Sequence, residues 1–110
     1  MFEQKVVRLK KLLDDIILLL EWDGSSDHWL QTMKDAKQGL EYSDLYGIEI
    51  LLSMYGGMGS FNDLVIGQKY KNWNFIGWKD NSNEKNDTLN LLRKNAYEVA
   101  NEIKRRMKKG

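Results

Sequence analysis

Two long amphipathic stripes, one near each end of the chain, limit the fold more than any other feature. Over residues 4–22, Val6, Leu9, Leu13, Ile16, Ile17 and Leu20 recur at spacings of three and four, with Leu12 and Leu19 widening the apolar face. Over residues 87–107, Leu89, Leu92, Ala96, Val99, Ala100, Ile103 and Met107 do the same. That period places each set on one side of a helix, which must bury its stripe against other elements. Asp87 is the expected cap of the last helix, and Trp22-Asp23-Gly24 the expected end of the first, because glycine accepts the left-handed conformation of a helix terminus.

Between these helices two shorter ones are predicted. Ser25 or Ser26 caps the second, whose buried stripe is Trp29, Leu30, Met33, Ala36 and Leu40, stopping near Gly39. Asp27 complements its N-terminal dipole. Ser43 opens the third, with Leu45, Ile48, Leu51, Leu52 and Tyr55 on its apolar face; Gly47 interrupts the pattern, and Gly56 and Gly57 end it. Residues 67–86, GQKYKNWNFIGWKDNSNEKN, have no sustained period and read as a long ordered loop, with a short strand pair around residues 73–78 as its one regular feature. The fold expected is therefore all-α: one compact domain over residues 1–110, of about four main helices, with a glycine-rich elbow and an aromatic, asparagine-rich loop.

Composition narrows the function classes. Four tryptophans, five tyrosines and three phenylalanines within 42% hydrophobic residues suffice for one core. The absence of cysteine removes disulfides, thiolate ligands and cysteine nucleophiles, and favours a cytoplasmic location. The longest apolar run, Ile16 to Leu20, is far shorter than the roughly 20 residues of a membrane span, and the N-terminal segment lacks the features of a signal peptide. Formal net charge is +1, but residues 1–60 hold 6 Lys/Arg against 10 Asp/Glu and residues 61–110 hold 11 against 6. A nucleic-acid partner is disfavoured by that balance. The basic tail Lys104-Arg105-Arg106-Met107-Lys108-Lys109 reads as a solvated helix end.

The stretch YGGMGSFNDL, residues 55–64, is the strongest local motif. Glycines ahead of a helix can cradle an anion, yet no Lys-Ser/Thr follows and no strand precedes, and Ser60-x-x-Asp63 reads as a capping box that places a carboxylate where a phosphate would need positive potential. A structural elbow, with Ser60 starting a short helix that carries Leu64, Val65 and Ile66 into the core, competes with a ligand or partner contact.

GGMGSFNDL, followed by an Asn-rich segment and a C-terminal amphipathic helix, resembles a small family of uncharacterised bacterial helical proteins marked by that motif, over roughly residues 40–107. The resemblance implies no established activity. If the motif marks a working surface, it implies Gly56, Gly57, Gly59, Ser60, Asn62 and Asp63 as its positions.

No catalytic set is expected. His28 lacks the converging ligands of a metal site, a Ser60–His28–Asp63 triad lacks a nucleophile elbow, and the acidic residues Asp14, Asp15, Asp23 and Asp27 lack the order of a calcium loop. No metal or cofactor is expected. Trp73, Phe75 and Trp78, flanked by Lys69, Lys71 and Lys79, cover the core, anchor a protein partner or stack a nucleotide. The expected function is a non-enzymatic interaction protein of bacterial or phage conflict systems, which binds and neutralises a toxin or defence component. The alternative is a binder of a small nucleotide-like anion, held by YGGMGSFND together with Trp73 or Trp78. Gly57, Gly59, Ser60, Asn62, Asp63, Trp73 and Trp78 are the candidate binding residues.

Overall fold

The periodic segments form helices in the computed structural model, which describes residues 2–42, 45–56 and 59–109. Helices α1 (Phe2–Asp23), α2 (Asp27–Glu41), α3 (Leu45–Ser53) and α4 (Ser82–Lys109) are joined by a single 3₁₀ turn (Phe61–Asp63) and a two-stranded antiparallel hairpin, β1 (Gln68–Lys71) and β2 (Asn74–Trp78). The chain is mostly helical, and the hairpin corrects the all-α expectation. Helix α1 packs on α2 and α4, and α3 packs on the same two, in a body 51 × 22 × 21 Å. No helix among the described residues is long and apolar enough to cross a membrane.

The two terminal stripes meet as their spacing requires. Leu9, Leu13, Ile16 and Leu20 of α1 are buried with Leu89, Ala96, Val99, Ala100 and Ile103 of α4, and Met33, Ala36, Leu40, Ile48 and Leu51 complete the core from α2 and α3. Leu92, expected among the fully buried residues, is half-buried at the core's margin. The ion pairs Lys5–Glu102 and Lys37–Asp14 (2.5 Å) bridge helices over this core.

Several boundaries differ from expectation, each for a visible reason. Helix α2 continues past Gly39 to Glu41 because Gly39 faces Gly47 of α3: a Cβ on Gly47 would lie 2.7 Å from both Ala36 O and Leu40 N. Gly47, which weakened the sequence pattern, is thus the point where two helix backbones touch. Gly47→Ala should separate α2 from α3 and lower stability by about 1–3 kcal/mol, as overpacking does elsewhere, and chemical denaturation measures it. Ser43, the expected start of α3, lies outside the described residues. At the other end α3 stops at Ser53, so Tyr55 and Gly56 follow the helix instead of closing it.

Helix α4 starts five residues before Asp87. Asparagine is a poor helix former, but Asn86 is used as a clamp. Its Oδ1 accepts from Ile66 N (2.8 Å) and its Nδ2 donates to Ile66 O (2.9 Å) and Ser82 O (2.9 Å). Tertiary contact therefore outweighs local preference in the first turn. Phe75 and Trp78 are about half exposed and Trp73 almost wholly so, which removes the expectation that these rings cover the core.

Candidate functional site

The glycine-rich stretch is built around a residue that its glycines obscure in the sequence. Phe61 is fully buried, with its ring edge-on to Tyr55 (5.7 Å) and tilted against Trp29 (5.6 Å). Its N–H donates to Met54 O (2.9 Å), which draws the chain back over the end of α3. From the opposite side the Arg93 guanidinium donates to Phe61 O (2.8 Å) and Leu64 O (2.9 Å). Burial lowers the Arg93 pKa from its ordinary value, with nearby Tyr55 and Asp63 opposing the shift. The Tyr55 hydroxyl donates to Arg93 O (2.7 Å), and burial raises its pKa well above the ordinary phenol value.

Ser60 and Asp63 each accept a backbone N–H at the turn, but not as the reciprocal capping box expected, because the Ser60 bond falls one residue short and the Asp63 bond one residue beyond. Ser60 Oγ accepts from Asn62 N (3.3 Å), while Asp63 Oδ2 accepts from Gly59 N (2.8 Å), and Gly59 has a φ of +77°. Downstream, Ile66 enters the core, Leu64 reaches its margin and Val65 stays exposed, so one of the three residues expected inside points to solvent. Gly57 lies outside the described residues. Asn62 and Gly56 contribute to a groove of about 600 Å³ between the elbow and α4. Trp73 and Trp78 do not line it, so the structure separates two groups that the sequence reading joined.

The hairpin stands on a buried polar knot. Asp23, at the end of α1, accepts from Gly67 N through Oδ1 (2.6 Å) and from the Ser26 hydroxyl through Oδ2 (2.5 Å). Ser26 occupies the N-cap position of α2, but its hydroxyl is given to Asp23 instead of accepting from the helix. Lys79 Nζ donates to Trp22 O (2.8 Å) and Asp23 O (2.7 Å), and the ammonium groups of Lys79 and Lys85 both lie over the Trp22 ring. Gly67, at φ +90°, has no room for a Cβ, which would fall 2.3 Å from Ser82 Oγ. The base of the hairpin is therefore held by the end of α1 and the start of α4, with Ser26 of α2 steadying Asp23.

Its far end is exposed on both faces. Gln68 pairs with Trp78, Lys69 with Gly77, Tyr70 with Phe75 and Lys71 with Asn74, and the register shifts between Lys69 and Tyr70. Side chains alternate faces along a strand, so Phe75 and Trp78 would otherwise point apart; the extra residue brings them together. Phe75 accordingly meets both Tyr70 (6.0 Å) and Trp78 (5.5 Å) edge-on. Asn72 and Trp73 form the tip with φ of +51° and +68°. A two-residue turn with positive φ at both positions favours Asn-Gly. Here the second position holds a tryptophan that is 97% exposed.

His28 is exposed and packs against Trp29 (4.8 Å). No group of three or more potential metal ligands occurs among the described residues. The sequence reading missed Phe61, Arg93, Lys94, Tyr97 and Lys104. Phe61 carried a signal, being the one phenylalanine in a glycine-rich stretch. The α4 residues carried none, because their positions read as an ordinary solvated face.

The family described as a domain of unknown function, DUF6966, matches residues 23–72, a span from Asp23 through the glycine-rich stretch to the first residue of the hairpin tip. This is consistent with an uncharacterised family. Neither a curated protein nor a solved structure matches the chain.

Proposed function

We propose that the chain is a non-enzymatic protein-binding module whose hairpin seats in an acidic, apolar-pocketed surface of a partner protein. The carrying observation is Trp73. A bulky residue in the left-handed region is disfavoured by about 1–2 kcal/mol, and a ring 97% exposed recovers nothing from the core. Backbone strain of this kind clusters at working surfaces. Tryptophan is also the side chain most enriched among residues that dominate interface energetics.

Charge supports the choice of partner. Residues 68–78 contain Lys69 and Lys71 and no Asp or Glu, with Tyr70, Phe75, Ile76 and Trp78 exposed beside them; Lys79 is engaged in the knot below. Lysines around apolar anchors favour an acidic rim around a hydrophobic pocket. In the form we favour, the partner is a toxin or defence component of a bacterial or phage conflict system, met in the bacterial cytoplasm and neutralised by occupation of its surface.

Trp73→Gly tests this reading with two readouts of opposite sign. Glycine relieves the strained φ, so the melting temperature should rise or hold. Losing the anchor should weaken binding to the product of a neighbouring toxin or defence gene by about 30-fold or more, the range of a hot-spot residue. Calorimetry on the purified pair measures the affinity. Unchanged affinity with raised stability would remove the hairpin from the interface.

A further inference from the structure

A second, chemically different site lies along α4. Asn90, Arg93, Lys94, Tyr97, Asn101 and Lys104 recur at helical spacing and form one stripe. Leu52, Tyr55, Gly56 and Asn62 close the groove from the α3 side. Three of the ten lining residues are cations, three are carboxamides, two are tyrosines, and none is a carboxylate. The volume of about 600 Å³ falls within the range of small-molecule sites.

The lining groups divide by what they already do. Arg93 is committed to Phe61 O, Leu64 O and Asn90 Oδ1, and Tyr55 to Arg93 O, so these two build the wall. Lys94 and Lys104 have no carboxylate partner within salt-bridge distance among the described residues. The Tyr97 ring is 43% exposed and braced from behind by Tyr55 (4.9 Å). Asp63, whose charge reaches Arg93, is occupied by Gly59 N and lies outside the lining.

The geometry points to a nucleoside phosphate as the ligand of this groove. An anion is favoured by two uncompensated ammonium groups in a wall without carboxylates. A planar heterocycle is favoured by the braced tyrosine face, since base–aromatic stacking contributes about 1–3 kcal/mol per ring. Carboxamides both donate and accept, so Asn62 and Asn101 suit the mixed edge of a base or the hydroxyls of a sugar, and Asn90, whose oxygen accepts from Arg93, adds its amide as a donor. Lys94 and Lys104 are about 15 Å apart along the helix, with Tyr97 between them. A base stacked on Tyr97 lies between them, so its phosphates can reach one ammonium while the other meets the acceptor edge of the base. Gly56 belongs to the wall of the groove, and Gly59, at φ +77°, lies in the turn that presents Asn62.

The test is an NMR titration of the intact chain with ATP, GTP and UTP, and with inorganic tripolyphosphate as the ring-free probe. At least one nucleotide should saturate and shift the side-chain amides of Asn62, Asn90 and Asn101. Lys94→Ala and Lys104→Ala should each weaken it by about 10-fold. Tyr97→Leu should weaken the nucleotide and leave tripolyphosphate unchanged. Both lysine variants should keep the wild-type spectrum, because neither side chain is in the core. No saturation by any nucleotide up to about 5 mM, a Kd too weak for a specific site, would overturn the proposal. So would tripolyphosphate binding as tightly as the nucleotides, which reduces the groove to a basic patch. Saturation with shifts confined to the hairpin would also overturn it.

Discussion

Phe61→Ala is expected to lower the free energy of unfolding by about 3–5 kcal/mol, the cost of removing a fully buried phenylalanine from a packed site. The ring touches Trp29 of α2 and Tyr55 after α3, and its own carbonyl is held by Arg93 of α4. The cavity therefore opens where three elements meet, with little chance of closing by local collapse. The elbow should loosen as well, since the Arg93 bonds to Phe61 O and Leu64 O depend on the chain lying against α4. Urea denaturation monitored by tryptophan fluorescence would report the change. A midpoint indistinguishable from wild type would mean that the glycine-rich stretch is not anchored by its phenylalanine. Phe61→Leu, which keeps most of the volume, should recover a large part of the loss.

A comparable loss, about 3–5 kcal/mol, is expected for Asp23→Ala. The carboxylate is buried and takes two short hydrogen bonds, from Gly67 N and the Ser26 hydroxyl. Hydrogen bonds to charged groups contribute about 1.5–3 kcal/mol each, and removing the acceptor leaves buried donors without water. Unlike the Phe61 change, this one acts on the hairpin: Gly67 begins the segment that leads into β1, and its carbonyl accepts from Lys79 N at the end of β2 (2.7 Å). Amide hydrogen exchange in residues 68–78 should accelerate in Asp23→Ala more than in Phe61→Ala. Asp23→Asn, which keeps one acceptor oxygen, should fall between wild type and alanine in stability. Equal exchange rates in the two alanine variants would show that the knot does not brace the hairpin.

The helices were legible because burial imposes a period on them. Leu9, Leu13, Ile16 and Leu20 repeat along α1 as Leu89, Ala96, Val99 and Ile103 do along α4, and both sets are buried. Capping was legible at Ser60 and Asp63, where the pattern spans only four residues, and at Gly24, which follows α1 with a φ of +72°. What stayed hidden depends on partners distant in sequence. Asn86 reads as a loop residue until Ile66 is beside it, and Gly47 as a helix breaker until Gly39 is beside it. The hairpin was only half legible. Its strands are short, both faces are exposed, and its tip uses Asn-Trp where Asn-Gly would have announced a turn. The groove was invisible because cations and amides on a helix normally mean solvent, and only the returning elbow encloses them.

The proposed interface stands or falls on what Trp73 touches in the cell. A photo-crosslinking residue at position 73 of the full chain, expressed in the native host, should trap one discrete acidic protein, while the same residue at Leu18, exposed on α1, should not. Addition of excess untagged wild-type chain should compete that adduct away, and untagged Trp73→Gly should not. An adduct forming equally from positions 73 and 18, or no adduct at 73 in cells where the chain is abundant and folded, would contradict the assignment of the hairpin as the binding surface.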